Sequence, residues 1–258
     1  MYGLKAITQT PTIMNKSGRL TALLALLAPL CGCAGLPSLS ELTADKVHLM
    51  EPEPSKAFCG DGSPYSFLVR RGTGANENRV LIDFGGGGAC WDERCLETES
   101  TMFQSSTSGF WKMLQGVTTD GVQSVFNVLS AGASPPISFT TTVSDVKTWT
   151  YVFVPYCTQD IHLGSCKTTY VTTSGESRTV FHNGAANVRS VMDWVYSNFA
   201  RPASLAFIGC SAGASAVVFT EAARASTNYG AGTNIVAVGD SPSNIVTEKF
   251  VKEGLVMW

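Results

Sequence analysis

Apolar and polar positions along the chain divide into short runs with two different periods. Tyr65 to Arg70 and Arg79 to Phe84 have strand-like composition, and the turn-rich stretch Gly72 to Asn78 separates them. Thr150 to Pro155 is a continuous apolar run, as a strand buried on both faces requires. Val188, Val191, Met192, Val195 and Phe199 fall at helical spacing, which predicts an amphipathic helix over Asn187 to Phe199, ended by Arg201-Pro202. Leu205 to Ile208 is a short buried strand. Ala214 to Arg224 returns to helical composition, and Ile235 to Val238 is a further strand ending at Gly239-Asp240. The alternation of strand and helix between 150 and 238 predicts right-handed crossovers and an α/β architecture: a mainly parallel sheet with helices on both faces.

Two stretches lack such a period. Residues 36–57, with Pro37, Pro52 and Pro54 among Ser and Glu, predict a linker or surface arm ahead of the domain at 58–258. Residues 97–147 are polar and rich in Ser and Thr, which predicts a long insertion over the sheet, acting as a lid.

The first 35 residues belong to a different category. Lys16 and Arg19 precede an apolar run from Leu20 to Leu30 that is too short to span a bilayer, and small residues follow it. This is the pattern of a secretory signal. A lipoprotein signal with Cys33 as the lipidated residue, anchoring the protein to a membrane, is the alternative.

Composition narrows the function. Hydrophobic residues make up 44% and charged residues 15% of 258 positions, with 25 glycines, so one α/β core with many tight turns is expected. The net charge of −2 and the absence of any basic run beyond Arg70-Arg71 argue against a nucleic-acid partner. The mature chain is expected to be a monomer without a stable membrane span.

Six of the eight cysteines lie beyond the leader. In an exported protein an even set suggests disulfides, and the short separations favour Cys90 with Cys95 and Cys157 with Cys166. Four thiolates on zinc are the alternative, but these spacings are not those of the usual zinc sites. No metal or cofactor is expected.

The residues that carry chemistry lie at strand ends. Gly209-Cys210-Ser211-Ala212-Gly213 is a G-x-S-x-G pentapeptide between an expected strand and an expected helix. The glycines permit a tight strained turn that pushes Ser211 out above the sheet, where the helix directs its first N–H groups at a developing oxyanion. An ordinary glycine-rich turn would lack those flanking elements. Gly85 to Gly88 follows a strand, so the N–H groups of Gly86 and Gly87, with that of Ala212, would form an oxyanion hole. A nucleotide-binding loop would need Lys-Ser/Thr after the glycines, or a G-x-G-x-x-G opening a helix, and neither is present.

Four motifs in order, Gly85-Gly-Gly-Gly-Ala-Cys-Trp91, Pro155-Tyr-Cys-Thr-Gln-Asp160, Phe181-His-Asn-Gly-Ala-Ala-Asn187 and Gly209-Cys-Ser-Ala-Gly213, resemble the pectin acetylesterase family, which is related to the Notum-type carboxylesterases. The resemblance covers roughly residues 58–258. It implies a secreted α/β-hydrolase-like serine carboxylesterase that removes acyl groups, typically acetyl from polysaccharide, through a Ser-Asp-His triad. Ser211 would be the nucleophile, with Gly86, Gly87 and Ala212 lining the oxyanion hole. The chain departs from plant members at Ala214 and at Thr158-Gln159, which bears on substrate more than on reaction type.

In that fold the acid and the histidine follow the nucleophile in chain order, but His48, His162 and His182 all precede Ser211. Asp240, the only Asp after Ser211, resembles a strand-end residue of the family and not the triad acid. The chain is therefore expected to be a truncated member that lacks the C-terminal part bearing acid and base. Two other functions stay open at this point: a non-catalytic pseudoesterase that binds glycans or a lipidated partner, and a lipid or protein deacylase of the Notum kind.

Overall fold

The structure is a computed structural model that describes residues 35–93, 146–240, 248–249 and 251–252. The leader, Cys95 and all but the last residues of the expected 97–147 insertion lie outside the described residues. Eight strands are present among those described. Six form one sheet: β1 (Val47–Met50), β2 (Phe67–Arg70), β3 (Arg79–Phe84), β4 (Thr150–Val154), β7 (Ser204–Cys210) and β8 (Asn234–Asp240), in the order β1-β2-β4-β3-β7-β8. The contacts of β3 with β4, β3 with β7 and β7 with β8 are parallel, and those of β2 with β1 and β4 are antiparallel. The sheet is thus parallel where the glycine loop and the serine lie.

Side-chain parity along the central strands divides the core. Val80, Ile82 and Phe84 of β3 point to one face with Val152, Val154, Leu205 and Phe207. There they meet Val188, Val191, Met192 and Val195 of helix α1 (Gly184–Asn198) and Ala216, Val217 and Ala225 of the helix that follows β7. Burial of each such aliphatic side chain stabilises the fold by about 1.5–3 kcal/mol. That second helix is α2 (Ala212–Ala216), a π-helical turn (Val217–Glu221) and α3 (Ala222–Tyr229) in succession.

The opposite face carries Leu68, Leu81, Tyr151, Ala206 and Ile208. Helices on both faces were expected; among the described residues α1, α2 and α3 contribute side chains to the first cluster, and the 3-10 turn Val146–Thr148 places Val146 in the second. The opposite face also holds Asp83, whose carboxylate accepts the Tyr151 hydroxyl; burial pushes this acid up to about 6.

Three local readings change. The lead-in at 36–57 contains a strand, because Val47 to Met50 pairs antiparallel with β2 at the sheet edge. β5 (Cys166–Val171) and β6 (Ser177–His182) form a separate antiparallel hairpin that the apolar pattern does not announce. The third is a correction to the expected Cys157–Cys166 bridge, since Cys157 is bonded to Cys59, 98 residues away in sequence.

The backbone explains that pairing. Gly60 N–H donates to the Cys157 carbonyl at 2.8 Å and Phe181 N–H to the Gly60 carbonyl at 2.9 Å, which lays the Cys59 segment between the β4 exit and the hairpin. Cys166 stands instead across the hairpin from His182. The same bond removes Cys157 from the four-thiolate alternative, leaving too few thiolates for a zinc site of that kind. Cys90 is also disulfide-bonded, and Cys166 and Cys210 are thiols.

Candidate active site

Parallel register gathers the chemistry at one end of the sheet. Phe84 stands beside Val154 on one side and Gly209 on the other, so the chain leaves β3, β4 and β7 at the same level. The chain moves from β3 to β4 on one side and then returns to β7 on the other, which makes the β3–β7 boundary a topological switch point. Gly85 to Gly88 and Ser211 flank that crevice.

The turn at Ser211 is as tight as its glycines suggest. Ser211 has φ 55° and ψ −119°, a conformation costing a non-glycine residue on the order of 1–3 kcal/mol, and its side chain is exposed. Its N–H donates to the Asp240 carbonyl at 2.9 Å, so the end of β8 anchors the turn through backbone. A Cβ on Gly209 would lie 2.5 Å from the Gly213 carbonyl group, and one on Gly86 would overlap the Cys210 carbonyl oxygen and lie 3.5 Å from the Ser211 Cβ. Gly86 is therefore packed against the serine.

The N–H of Gly85 continues the β3–β4 ladder by donating to Val154 O at 2.9 Å. Those of Gly86 and Gly87 make no backbone hydrogen bond among the described residues. Ala212 opens the helix, where the first N–H groups have no carbonyl ahead of them. N–H groups that make no backbone hydrogen bond among the described residues thus flank Ser211 on two sides.

The remaining motif residues tie together the segments that adjoin this loop. The Asp160 carboxylate accepts from Thr158 Oγ1 at 2.7 Å, from Gly184 N–H at 2.7 Å and from His162 N–H at 3.2 Å, fixing the β4 exit to the start of α1. Asn187 exchanges two hydrogen bonds with the Phe58 backbone, Oδ1 accepting at 3.0 Å and Nδ2 donating at 2.9 Å. Tyr156 donates its hydroxyl to Gly88 O and accepts from Ile161 N–H. These residues carry the family resemblance, and the sequence alone assigns them no task; the available signal is that Tyr156, Thr158 and Asp160 directly follow a central strand, at the end where the glycines lie.

All three histidines have structural positions. His48 is on β1, four strands from β7 or about 19 Å at the usual strand spacing, and its Nε2 lies 3.0 Å from Thr43 O. His182 Nδ1–H donates to Thr158 O at 3.0 Å, which leaves Nε2 to accept the Tyr170 hydroxyl at 2.9 Å. His162 Nε2–H donates to Gly85 O at 2.8 Å. Burial holds the imidazole of His162 down to about 4 and lowers that of His182 as well.

Those shifts define a pH experiment. A buried neutral histidine stabilises the fold fully above its unfolded value near 6.5 and loses that contribution as pH falls towards its folded value of about 4. Asp83 has the opposite sign: its folded value of about 6 exceeds the unfolded one, so its contribution is present at low pH and lost as pH rises through 6. The two slopes oppose each other between pH 4 and 6. Asp83→Asn is expected to steepen the loss of stability on acidification below about 6.5 relative to wild type, because it removes one of the two buried acids, Asp83 and Asp160, whose raised values oppose the lowered histidines, in urea unfolding at a series of pH values. A profile no steeper than that of wild type would contradict this opposition.

No curated protein matches the chain. The family model described as Pectinacetylesterase matches residues 40–243, a span that includes the sheet, the glycine loop and the Ser211 turn. The chain therefore belongs to the pectinacetylesterase family.

Proposed function

We propose that this protein is an exported serine carboxylesterase that removes acetyl groups from polysaccharide, with Ser211 as nucleophile on an α/β-hydrolase-like sheet. The family is one of carbohydrate esterases acting on acetyl groups. Ser211 Oγ attacks the ester carbonyl, and the tetrahedral oxyanion is received by the N–H groups of Gly86, Gly87 and Ala212. Collapse breaks the ester C–O bond, the sugar oxygen leaves as a hydroxyl with the proton that Ser211 gives up, and water then hydrolyses the acyl-enzyme to acetate and restores the Ser211 hydroxyl. The observation that carries this reading is the strained, exposed Ser211 with Gly86 packed against it at the switch point.

The test is release of p-nitrophenol from p-nitrophenyl acetate and of acetate from acetylated pectin. Wild type is expected to exceed Ser211→Ala by about 100-fold or more. Equal rates would overturn the reading. Over a series of acyl lengths, acetyl is expected to be preferred; a preference for long chains would indicate a lipid or protein deacylase instead.

A second reading is favoured by the histidines, since each is held by a backbone carbonyl, that of Thr43, Gly85 or Thr158. On that reading the chain is a pseudoesterase that binds acylated glycan in the inherited crevice. Binding of acetylated pectin together with turnover no greater than that of Ser211→Ala would support it. An oxyanion hole and substrate binding alone still give about 10³–10⁴-fold over water, so turnover is measurable even without an efficient base.

A further inference from the structure

The glycine loop is held at both ends by side chains from one neighbouring segment. His162 Nε2–H donates to Gly85 O at 2.8 Å and Tyr156 donates its hydroxyl to Gly88 O at 2.9 Å. The two rings lie with centroids 4.7 Å apart, the Phe84 ring meets His162 edge to face at 5.5 Å, and Ile161 N–H donates back to the Tyr156 hydroxyl at 2.7 Å. This is a closed, partly buried arrangement around one carbonyl at each end of the loop, with His162 its buried member.

The consequence follows from peptide geometry. In a planar trans peptide the C=O and the N–H point in opposite directions. Fixing Gly85 O towards His162 therefore sends the Gly86 N–H away from it, and Gly86 is the residue packed against Ser211. Glycine cannot set this direction unaided. Gly87 and Gly88 sit at φ 148° and 75°, and without a side chain each has more backbone freedom to lose on ordering than any other residue.

We infer that His162 is a positioning residue, which aims the Gly86 N–H at the oxyanion by holding Gly85 O, while Tyr156 fixes the far end of the loop through Gly88 O. The inference rests on the proposed role of Gly86 as an oxyanion donor. It gives the Tyr156 to His162 segment a task beyond packing.

His162→Phe retains an aromatic ring and loses the donor, whereas His162→Gln retains an N–H that reaches the carbonyl. With p-nitrophenyl acetate, His162→Phe is expected to lower kcat about 10–100-fold with KM within about threefold of wild type, because a misdirected oxyanion donor acts on the transition state. His162→Gln is expected to recover at least threefold of that loss, and Tyr156→Phe to lower kcat less than His162→Phe does. A merely structural role would lower the melting temperature and leave kcat per folded molecule unchanged. Wild-type kcat in His162→Phe, with Ser211→Ala about 100-fold or more slower than wild type, would overturn the inference and leave the esterase reading standing. Wild type no faster than Ser211→Ala would overturn both. If His162→Phe fails to fold, Tyr156→Phe carries the test: unchanged kcat there overturns the inference, and a fall in kcat at constant KM supports it.

Discussion

Gly213→Ala is expected to destabilise the protein by about 3 kcal/mol or more, lowering the melting temperature by roughly 6–12 °C. A Cβ at this position would overlap the Phe84 carbonyl oxygen and lie 2.8 Å from its carbon and 3.0 Å from the Gly85 carbonyl oxygen. All three atoms are backbone at the end of β3, a strand paired on both sides, so no side chain can turn aside to make room. The start of α2 must instead lift from the sheet, which moves Ser211 relative to Gly86. Gly35→Ala, where an added methyl meets nothing within 4 Å, is the control and is expected to change stability by less than about 0.5 kcal/mol. Thermal unfolding of the two variants beside wild type measures the difference. A Gly213→Ala protein as stable as the control would contradict the packing of the turn against β3.

Loss of the Cys59–Cys157 bond is expected to be the other large effect. The bond closes a loop of 98 residues in sequence, and in the chain-entropy account a loop of that length restricts the unfolded ensemble by about 4–5 kcal/mol. Both cysteines are buried, so Cys59→Ala with Cys157→Ala also removes two packed sulfurs. About 4 kcal/mol is a large share of the stability of an ordinary domain, which lies near 5–15 kcal/mol. Cys157 directly follows Tyr156, so loosening this segment also loosens the hold on Gly88. Urea unfolding of the double variant, or of wild type with and without reductant, reads the effect. Indifference to both treatments would contradict the assignment of this bond.

The parts of the fold that could be read from the sequence are those whose own residues determine them. β4 is a continuous apolar run, β3 has strand-like composition, and α1 shows its buried stripe at helical spacing. The turn at Ser211 could be read because steric demand selects glycine at both ends of the pentapeptide, and that demand is local. The edge strand β1 is only four residues long, and its reason for being a strand is the partner β2. The β5–β6 hairpin is built largely from Lys, Thr, Arg and Ser exposed on one or both sides, so it carries no apolar stripe.

The disulfide and the roles of Asp160, His162, Asn187 and Tyr156 could not be read for a related reason. Each is defined by a partner far away in the chain, such as Gly85 for His162 or Phe58 for Asn187. Short sequence separation misled the cysteine pairing because it says nothing about where the β4 exit lies relative to residue 59. The absence of a histidine after Ser211 was visible at once. The structure adds that the three upstream histidines are held by Thr43, Gly85, Thr158 and Tyr170.

The central claim is that Ser211 is a nucleophile set in an oxyanion cradle, and covalent capture tests it most directly. The full chain is incubated with a fluorophosphonate ester, digested and mapped by mass spectrometry. The account predicts one phosphonyl adduct, on Ser211, that is absent from Ser211→Ala. No adduct after prolonged incubation, or an adduct on another residue that persists in Ser211→Ala, would contradict it.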